Sequence, residues 1–477
     1  MKNKIMHAKY ILAICGMSAA IAASAQTHSF TWEEWQDPGV YSIGTAPLRT
    51  EFISFATREQ AEKGKSEVSP FYMPLDIRFG MTNSASVNID IPYMWLDREV
   101  FLHVEGIEAY YVKINDRTIG YASDDITPAE FNISRWIVDG PNTITFERQQ
   151  LPNERQIGYD GFEPDMNVYV YSQPKLRIEN YTVTTRIDSS GTRCFLRTEV
   201  ALANSYNSRE SFRLGYDLYM PNGGKLIHYD LREVTLEGNG RDTVVFDQPI
   251  YDNVMGNLWS AETPKLYNMM LHINYDKRWI EYLPIEVGFG ETTFADGVLS
   301  RNGKPVSVKA VSYGKPDKAL TPTHLKTFKN AGYNTLYLTA PCPIWFYDMC
   351  EAAGMYVIER ANVYSSDAAG NREVGGAPSN DPAWLGTYMG RTAAMFERVK
   401  TRPCIIGWSL GGNVGNGYNM YKTYQWMKAQ GPSVPVIFDD AQGEWNTDDM
   451  DVQVADGVTV LEQATQQAPA SRKTTKR

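Results

Sequence analysis

Carboxylates and tryptophans are the residues of this sequence best equipped for chemistry. Glu359 closes one predicted strand, and Asp439 and Asp440 close another, in a region where strands and helices alternate. Carboxyl groups at the C-terminal ends of parallel strands can divide the work of acid and base between them. Trp345, Trp408 and Trp445 could serve as flat platforms on which a sugar ring stacks. The plainer reading of the three carboxylates is a solvated side chain near a strand end, and that of Trp408 and Trp445 is core packing. Cysteine and histidine offer less. Cys194, Cys342, Cys350 and Cys404 lack CxxC spacing and only six histidines accompany them, so buried free thiols are expected rather than a zinc site.

The elements that must position these groups follow from the apolar pattern. Beyond Gly290, strands are predicted at 306–311, 335–338, 355–359, 405–409 and 434–438, with helical segments between them. One helix is announced by Asp381 as cap and Pro382 at its first position, then by Leu385, Met389, Phe396 and Val399 at helical spacing. Strand–helix alternation implies parallel strands in a doubly wound sheet or a barrel. Upstream the pattern is all β. Val100, Leu102 and Val104 alternate, as do Tyr110, Val112 and Ile114, and Asn115-Asp116 reads as a hairpin turn. Two β-sandwiches are predicted, at 84–175 and 176–290, with an irregular segment over 26–83 packed on the first. The α/β region runs from 291 to 465, and 466–477 is a basic, polar tail expected to be disordered.

Composition narrows the partners. The 477 residues carry 46 Lys+Arg against 56 Asp+Glu, a balance that repels phosphate backbones and argues against nucleic acid. Residues 1–25 read as a signal peptide: Lys2, Lys4 and Lys9, an apolar run, then Ala23-Ser24-Ala25. Lipidation at Cys15 is disfavoured because Ile14 precedes it. No later stretch is apolar for the ~20 residues a bilayer span needs. The expectation is an exported protein, periplasmic, outer-membrane-associated or extracellular.

Five ordered motifs resemble glycoside hydrolase family 2, the β-galactosidase-like enzymes. They are Thr127-Pro128-Ala129-Glu130-Phe131; Leu258-Trp259-Ser260-Ala261-Glu262-Thr263-Pro264-Lys265-Leu266-Tyr267; Val287-Gly288-Phe289 followed by Asn302-Gly303-Lys304-Pro305-Val306; Trp408-Ser409-Leu410-Gly411 followed by Gly415-Asn416-Gly417; and Glu444-Trp445-Asn446-Thr447-Asp448. The resemblance implies a sugar-binding-like jelly roll, an immunoglobulin-like sandwich and a TIM-type barrel, here cut to about five strands. It also implies two glutamates acting on a glycosidic bond, one as acid/base and one as nucleophile.

The sequence departs from that pattern where the chemistry sits. The family's W-S-L-G-N-E reads Trp408-Ser409-Leu410-Gly411-Gly412-Asn413, so Asn413 stands at the acid/base position. An amide cannot serve as a proton donor and acceptor near neutral pH. The segment Glu359-Arg360-Ala361-Asn362-Val363-Tyr364-Ser365-Ser366 puts Tyr364 and Ser366 where the family holds Mg²⁺ ligands, with Asn413 the third neutral group, so no metal or other cofactor is expected. The 64 residues after Asn413 show no pattern for a sixth, seventh or eighth strand. Asp124 stands where the family's jelly roll reaches toward galactose, although a solvated Asp124-Asp125 turn is the plainer reading. Three functions remain open: an inactive binding or assembly module in the cell envelope, an active glycosidase using Glu359, Asp439 or Asp440, and a lectin-like glycan binder using Asp124, Trp408 or Trp445. Five barrel strands would leave open edges at 306–311 and 434–438. A protein partner or homodimer is expected there, with coverage by residues 450–465 as the alternative.

Overall fold

The computed structural model describes residues 30–151, 157–158, 165–251, 254–313, 320–364, 373–441, 448 and 452–467. Residues 1–25, read as a signal peptide, lie outside them; of the expected tail 466–477, residues 466 and 467 end a helix and the rest lie outside the described residues.

The first sandwich pairs a five-stranded with a four-stranded antiparallel sheet. The larger runs Ser42–Ile43, Arg117–Ala122, Tyr110–Ile114, Gly140–Arg148, Ser84–Ile91; the smaller runs Tyr72–Leu75, Asn167–Gln173, Glu99–Glu105, Ala129–Asn132. Val100, Leu102, Val104, Tyr110, Val112 and Ile114 meet in its core, as their alternation requires. Asn115 and Asp116 take φ of 49° and 66°, the left-handed pair that a tight hairpin needs. The segment before residue 84 is not merely irregular. It gives one strand to each sheet, because backbone buried against a sheet edge must find hydrogen-bond partners.

The second sandwich packs Leu176–Ile187, Cys194–Asn204 and Arg241–Ile250 against Leu226–Leu236, Glu210–Tyr219, Tyr267–Tyr275 and Arg278–Val287. Its core gathers Leu196, Val200, Leu202, Leu214, Tyr216, Leu218, Phe246 and Leu271. Trp259 leads out of it, fully buried, its indole donating to the Glu351 carbonyl at 3.1 Å and so joining sandwich to barrel.

The barrel-like domain is a parallel sheet of six strands. We label them β1 (Lys309–Tyr313), β2 (Thr335–Leu338), β3 (Tyr356–Arg360), β4 (Ile405–Ser409), β5 (Val436–Ile437) and β6 (Gln453–Asp456). The helices are α1 (Pro322–Asn330), α2 (Ile344–Ala353), α3 (Leu385–Val399), α4 (Tyr418–Ala429) and α5 (Gly457–Gln467). The order is β5-β4-β3-β2-β1-β6. The first strand begins three residues later than predicted, since Val306 belongs to a preceding hairpin and donates to the Leu299 carbonyl at 2.9 Å.

Two expectations need correction. The sheet has a sixth strand, whose four residues include one strongly apolar side chain, Val454, too little signal to be read as a strand. The two barrel edges expected to be open are also engaged from within the chain. β6 pairs with β1 in parallel, Lys309 to Gln453 through Ser312 to Asp456, and Val460 of α5 is buried behind it. At the other end, Val436 donates to the Asp448 carboxylate at 2.9 Å and accepts from the Asp448 amide at 3.0 Å. Coverage from within by residues 450–465, the alternative expectation, is thus what is seen at β1, and β6 becomes the terminal strand of the sheet.

Candidate functional site

Successive residues of a strand point to opposite faces, and β3 shows the consequence. Arg360 turns to the inner face at the strand ends, while Glu359 turns outward into the helix layer. The Arg360 guanidinium donates to the Asp439 carboxylate at 3.1 Å and to the Ser409 hydroxyl oxygen at 3.2 Å, and lies 4.7 Å over the Tyr337 ring. The Tyr337 hydroxyl donates to the same Asp439 oxygen at 2.9 Å. Asp439 thus sits at the barrel mouth as expected, but clamped by a cation and a phenol.

Gly412 and Asn413 complete this mouth. Gly412 bridges Tyr364 in parallel, and its amide donates to the Val363 carbonyl at 3.1 Å, which joins the loops after β3 and β4. A Cβ on Gly412 would come within 2.5 Å of an Arg360 nitrogen, so the missing side chain makes room for the guanidinium. Asn413 adopts φ 52° and its amide donates to the Tyr364 hydroxyl at 3.2 Å. The positions of the family's acid/base and of one metal ligand do meet, as an amide and a phenol bonded to each other. A hard divalent cation takes anionic oxygens at such a site, and this donor set does not fit one.

Glu359 is elsewhere. It is fully buried, with Tyr347 of α2 and Arg398 of α3 as its electrostatic neighbours, and burial pushes its carboxyl up to about 8. A protonated carboxyl sealed behind helices cannot reach a ligand at the mouth. Trp408 also faces the helix layer, buried, its ring 5.1 Å from Phe396 in edge-on contact, and so serves as core. Trp345, at the start of α2, is half-exposed, its ring 6.3 Å from that of Phe346. The side chain of Asp440, Trp445 and Ser366 lie outside the described residues.

Asp124 is no solvated turn. It is 4% exposed, and one carboxylate oxygen accepts from Asn362 at 2.7 Å and from the Ile126 amide at 3.1 Å. Thr127 donates to the other, and Arg391 of α3 lies 3.5 Å away. Arg391 in turn donates to the Asn362 and Ser123 carbonyls at 2.9 and 3.2 Å. The jelly roll is thereby pinned to the barrel. Burial, and then the neighbouring Asp124, push Asp125 up to about 7. Sequence reasoning missed Arg391, whose helical position gave no hint of a partner some 270 residues upstream, and passed over Arg360, although it stands within a quoted motif.

A cavity of about 1480 Å³ lies between the second sandwich and the far end of α3, where Tyr181, Glu286, Asp348 and Arg402 line it. None of Tyr337, Arg360, Asn413 and Asp439 does.

Comparison with known proteins agrees with this architecture. Residues 176–289 match the model described as glycosyl hydrolases family 2, and residues 324–475 match that family's TIM barrel domain. The chain is 27% identical over 353 residues to a beta-galactosidase of Vibrio cholerae, covering 69% of this chain and 33% of that one. It is 26% identical over 401 residues to a beta-galactosidase of Pectobacterium atrosepticum, covering 78% and 37%. The chain thus spans about a third of the length of these curated relatives. Among solved structures, a Bacteroides uniformis beta-glucuronidase superposes with a TM-score of 0.58 at 18% identity, covering 68% of this chain and 40% of that one. A family 2 member from Bacteroides cellulosilyticus gives 0.62 at 18%, covering 74% and 49%. With both its second sandwich and its α/β sheet matched, and in chain order, this protein belongs to glycoside hydrolase family 2.

Proposed function

We propose that this chain acts as a binding or assembly module of the cell envelope, on a glycosidase scaffold that no longer hydrolyses glycosides. The observation that carries the reading is the Asn413–Tyr364 hydrogen bond of 3.2 Å at the acid/base position. A glycosidic oxygen leaves as an alcohol only when a positioned acid protonates it, and neither an amide nor a phenol engaged with it supplies that proton near pH 7. Asp439 is held by Arg360 and Tyr337, and Asp456 at the end of β6 accepts from Thr459 of α5, so each of these strand-end carboxylates is engaged by its own neighbours rather than set opposite the other. The sequence pattern of residues 1–25 supports the envelope location.

The test is turnover of aryl β-galactosides and aryl β-glucuronides by the purified chain. No hydrolysis above the uncatalysed rate is expected. Turnover near that of a working relative, lost on Asp439→Asn, would instead establish an active enzyme with a displaced carboxylate. Glycan-array binding without turnover would mark the module as lectin-like. Affinity purification from the native envelope would identify a protein partner.

A further inference from the structure

We propose that Asp125 is a proton-linked latch between the jelly roll and the barrel-like domain: with its proton it closes the seam on Asn362, and without it the seam loosens beside the mouth. The geometry is that of two carboxylates on one donor. The side-chain nitrogen of Asn362 donates to Asp124 Oδ1 at 2.7 Å and to Asp125 Oδ1 at 3.2 Å. Two oxygens that share one nitrogen in this way lie at most about 6 Å apart, close enough for one ionised carboxylate to disfavour ionisation of the other. Asp124 is the member already matched to charge, with Arg391 at 3.5 Å and the Ile126 amide on its carboxylate. The Asp125 carbonyl accepts from the Gly106 amide at 2.8 Å, which fixes the loop that carries both.

The groups around Asp125 come from every side of the seam. Asp124 stands on its own loop, Glu108 on the segment leading into Tyr110–Ile114, and Arg391 on α3. Tyr41 of the N-terminal segment and Tyr110 face Asp124 with phenols that burial keeps neutral. Gly158 packs over Arg391 and Asn362 and brings no charge. Arg398, farther along α3, is committed to Glu51 and Glu105. Three carboxylates thus share one guanidinium, and ionising all three would leave excess negative charge in a buried seam. Burial, and then Asp124, raise the Asp125 carboxyl from 3.8 to about 7. Between these values the closed seam holds a proton that an open seam releases. Closure is therefore favoured most below about pH 4, weakens as pH rises, and levels off above about 7. The seam ends at the mouth: Asn362 precedes Val363, whose carbonyl accepts the Gly412 amide at 3.1 Å, and Tyr364, which meets Asn413.

Hydrogen exchange of the full chain from pH 5 to pH 8, corrected for the intrinsic rate of each amide, tests this at 121–131 and 361–364. In the parent, opening of both segments should rise by up to about tenfold per pH unit, the limit for one released proton, and level off above about pH 7. Asp125→Asn should abolish that slope at both segments. Glu359→Gln, which removes a buried acid elsewhere in the barrel, should keep it. Glu108→Gln takes away one neighbouring negative charge and should move the levelling-off to lower pH. Circular dichroism confirms that each variant folds, and Glu108→Gln carries the reading should Asp125→Asn fail to fold. A parent without the slope, a slope that survives Asp125→Asn, or a levelling-off that Glu108→Gln leaves in place would overturn the proposal.

Discussion

Glu359 shows how one residue's direction sets its chemistry. In a strand next to Arg360 it could have faced the mouth; facing α2 and α3, it is a buried acid whose carboxyl titrates near 8. Its ordinary value lies near 4.5, so between these two values the folded chain holds a proton that the unfolded chain has released. Stability from this group is therefore fully present below about pH 4.5 and is lost as pH rises through about 8. Glu359→Gln should remove that fall. Its unfolding free energy relative to the parent should rise from about pH 5 to about pH 8 and level off above, by a few kcal/mol in all. Equal pH slopes in the two proteins would show that Glu359 is not buried uncharged. Asp124 makes the opposite case, a carboxylate surrounded by donors. Asp124→Ala should cost about 3–5 kcal/mol by stranding Arg391 and Asn362, measured by denaturant unfolding.

Among the elements, β6 is the least conspicuous in sequence and the one that changes the domain most. Val452, Val454, Val458, Val460 and Leu461 suggested a segment that could lie across a gap, and Val460 and Leu461 do pack against the barrel core. Parallel pairing of 453–456 with β1 was not visible, because a strand of four residues gains its stability from its neighbour rather than from its own pattern. Gly457, directly after it, has the Ser312 carbonyl 2.7 Å from where a Cβ would be. Gly457→Ala should therefore push β6 and α5 from β1, at a cost of about 1–3 kcal/mol, and speed hydrogen exchange at 309–313. Gly80→Ala, with nothing within 4 Å, is the neutral control.

At the scale of the whole molecule, Arg398 of α3 ties the three parts together. Its guanidinium meets Glu51 of the N-terminal segment at 2.6 Å, Glu105 of the jelly roll at 3.0 Å and the Cys342 carbonyl of the barrel at 3.1 Å. All three charged side chains are largely buried, so Arg398→Ala leaves two carboxylates without their cation. We expect a loss of about 3–5 kcal/mol and a calorimetric transition that splits in two as the jelly roll melts apart from the barrel. A single, barely shifted transition would mean that apolar contacts alone hold the domains.

The sequence by itself determined the sandwiches, the strand–helix alternation, the hairpin at Asn115-Asp116 and the neutral groups at the family's chemical positions. These are local matters: period, turn residues and residue type at a motif position are set by the chain's own order. Only the tertiary structure decided that Glu359 faces the helix layer and Asp439 the mouth, that Asp124 is a buried clasp, and that β1 is covered by a strand of its own chain. These depend on partners from other elements, from 12 residues away for Glu359 and Tyr347 to 238 for Asp124 and Asn362, brought close by packing, and no spacing along the chain encodes a contact of that kind.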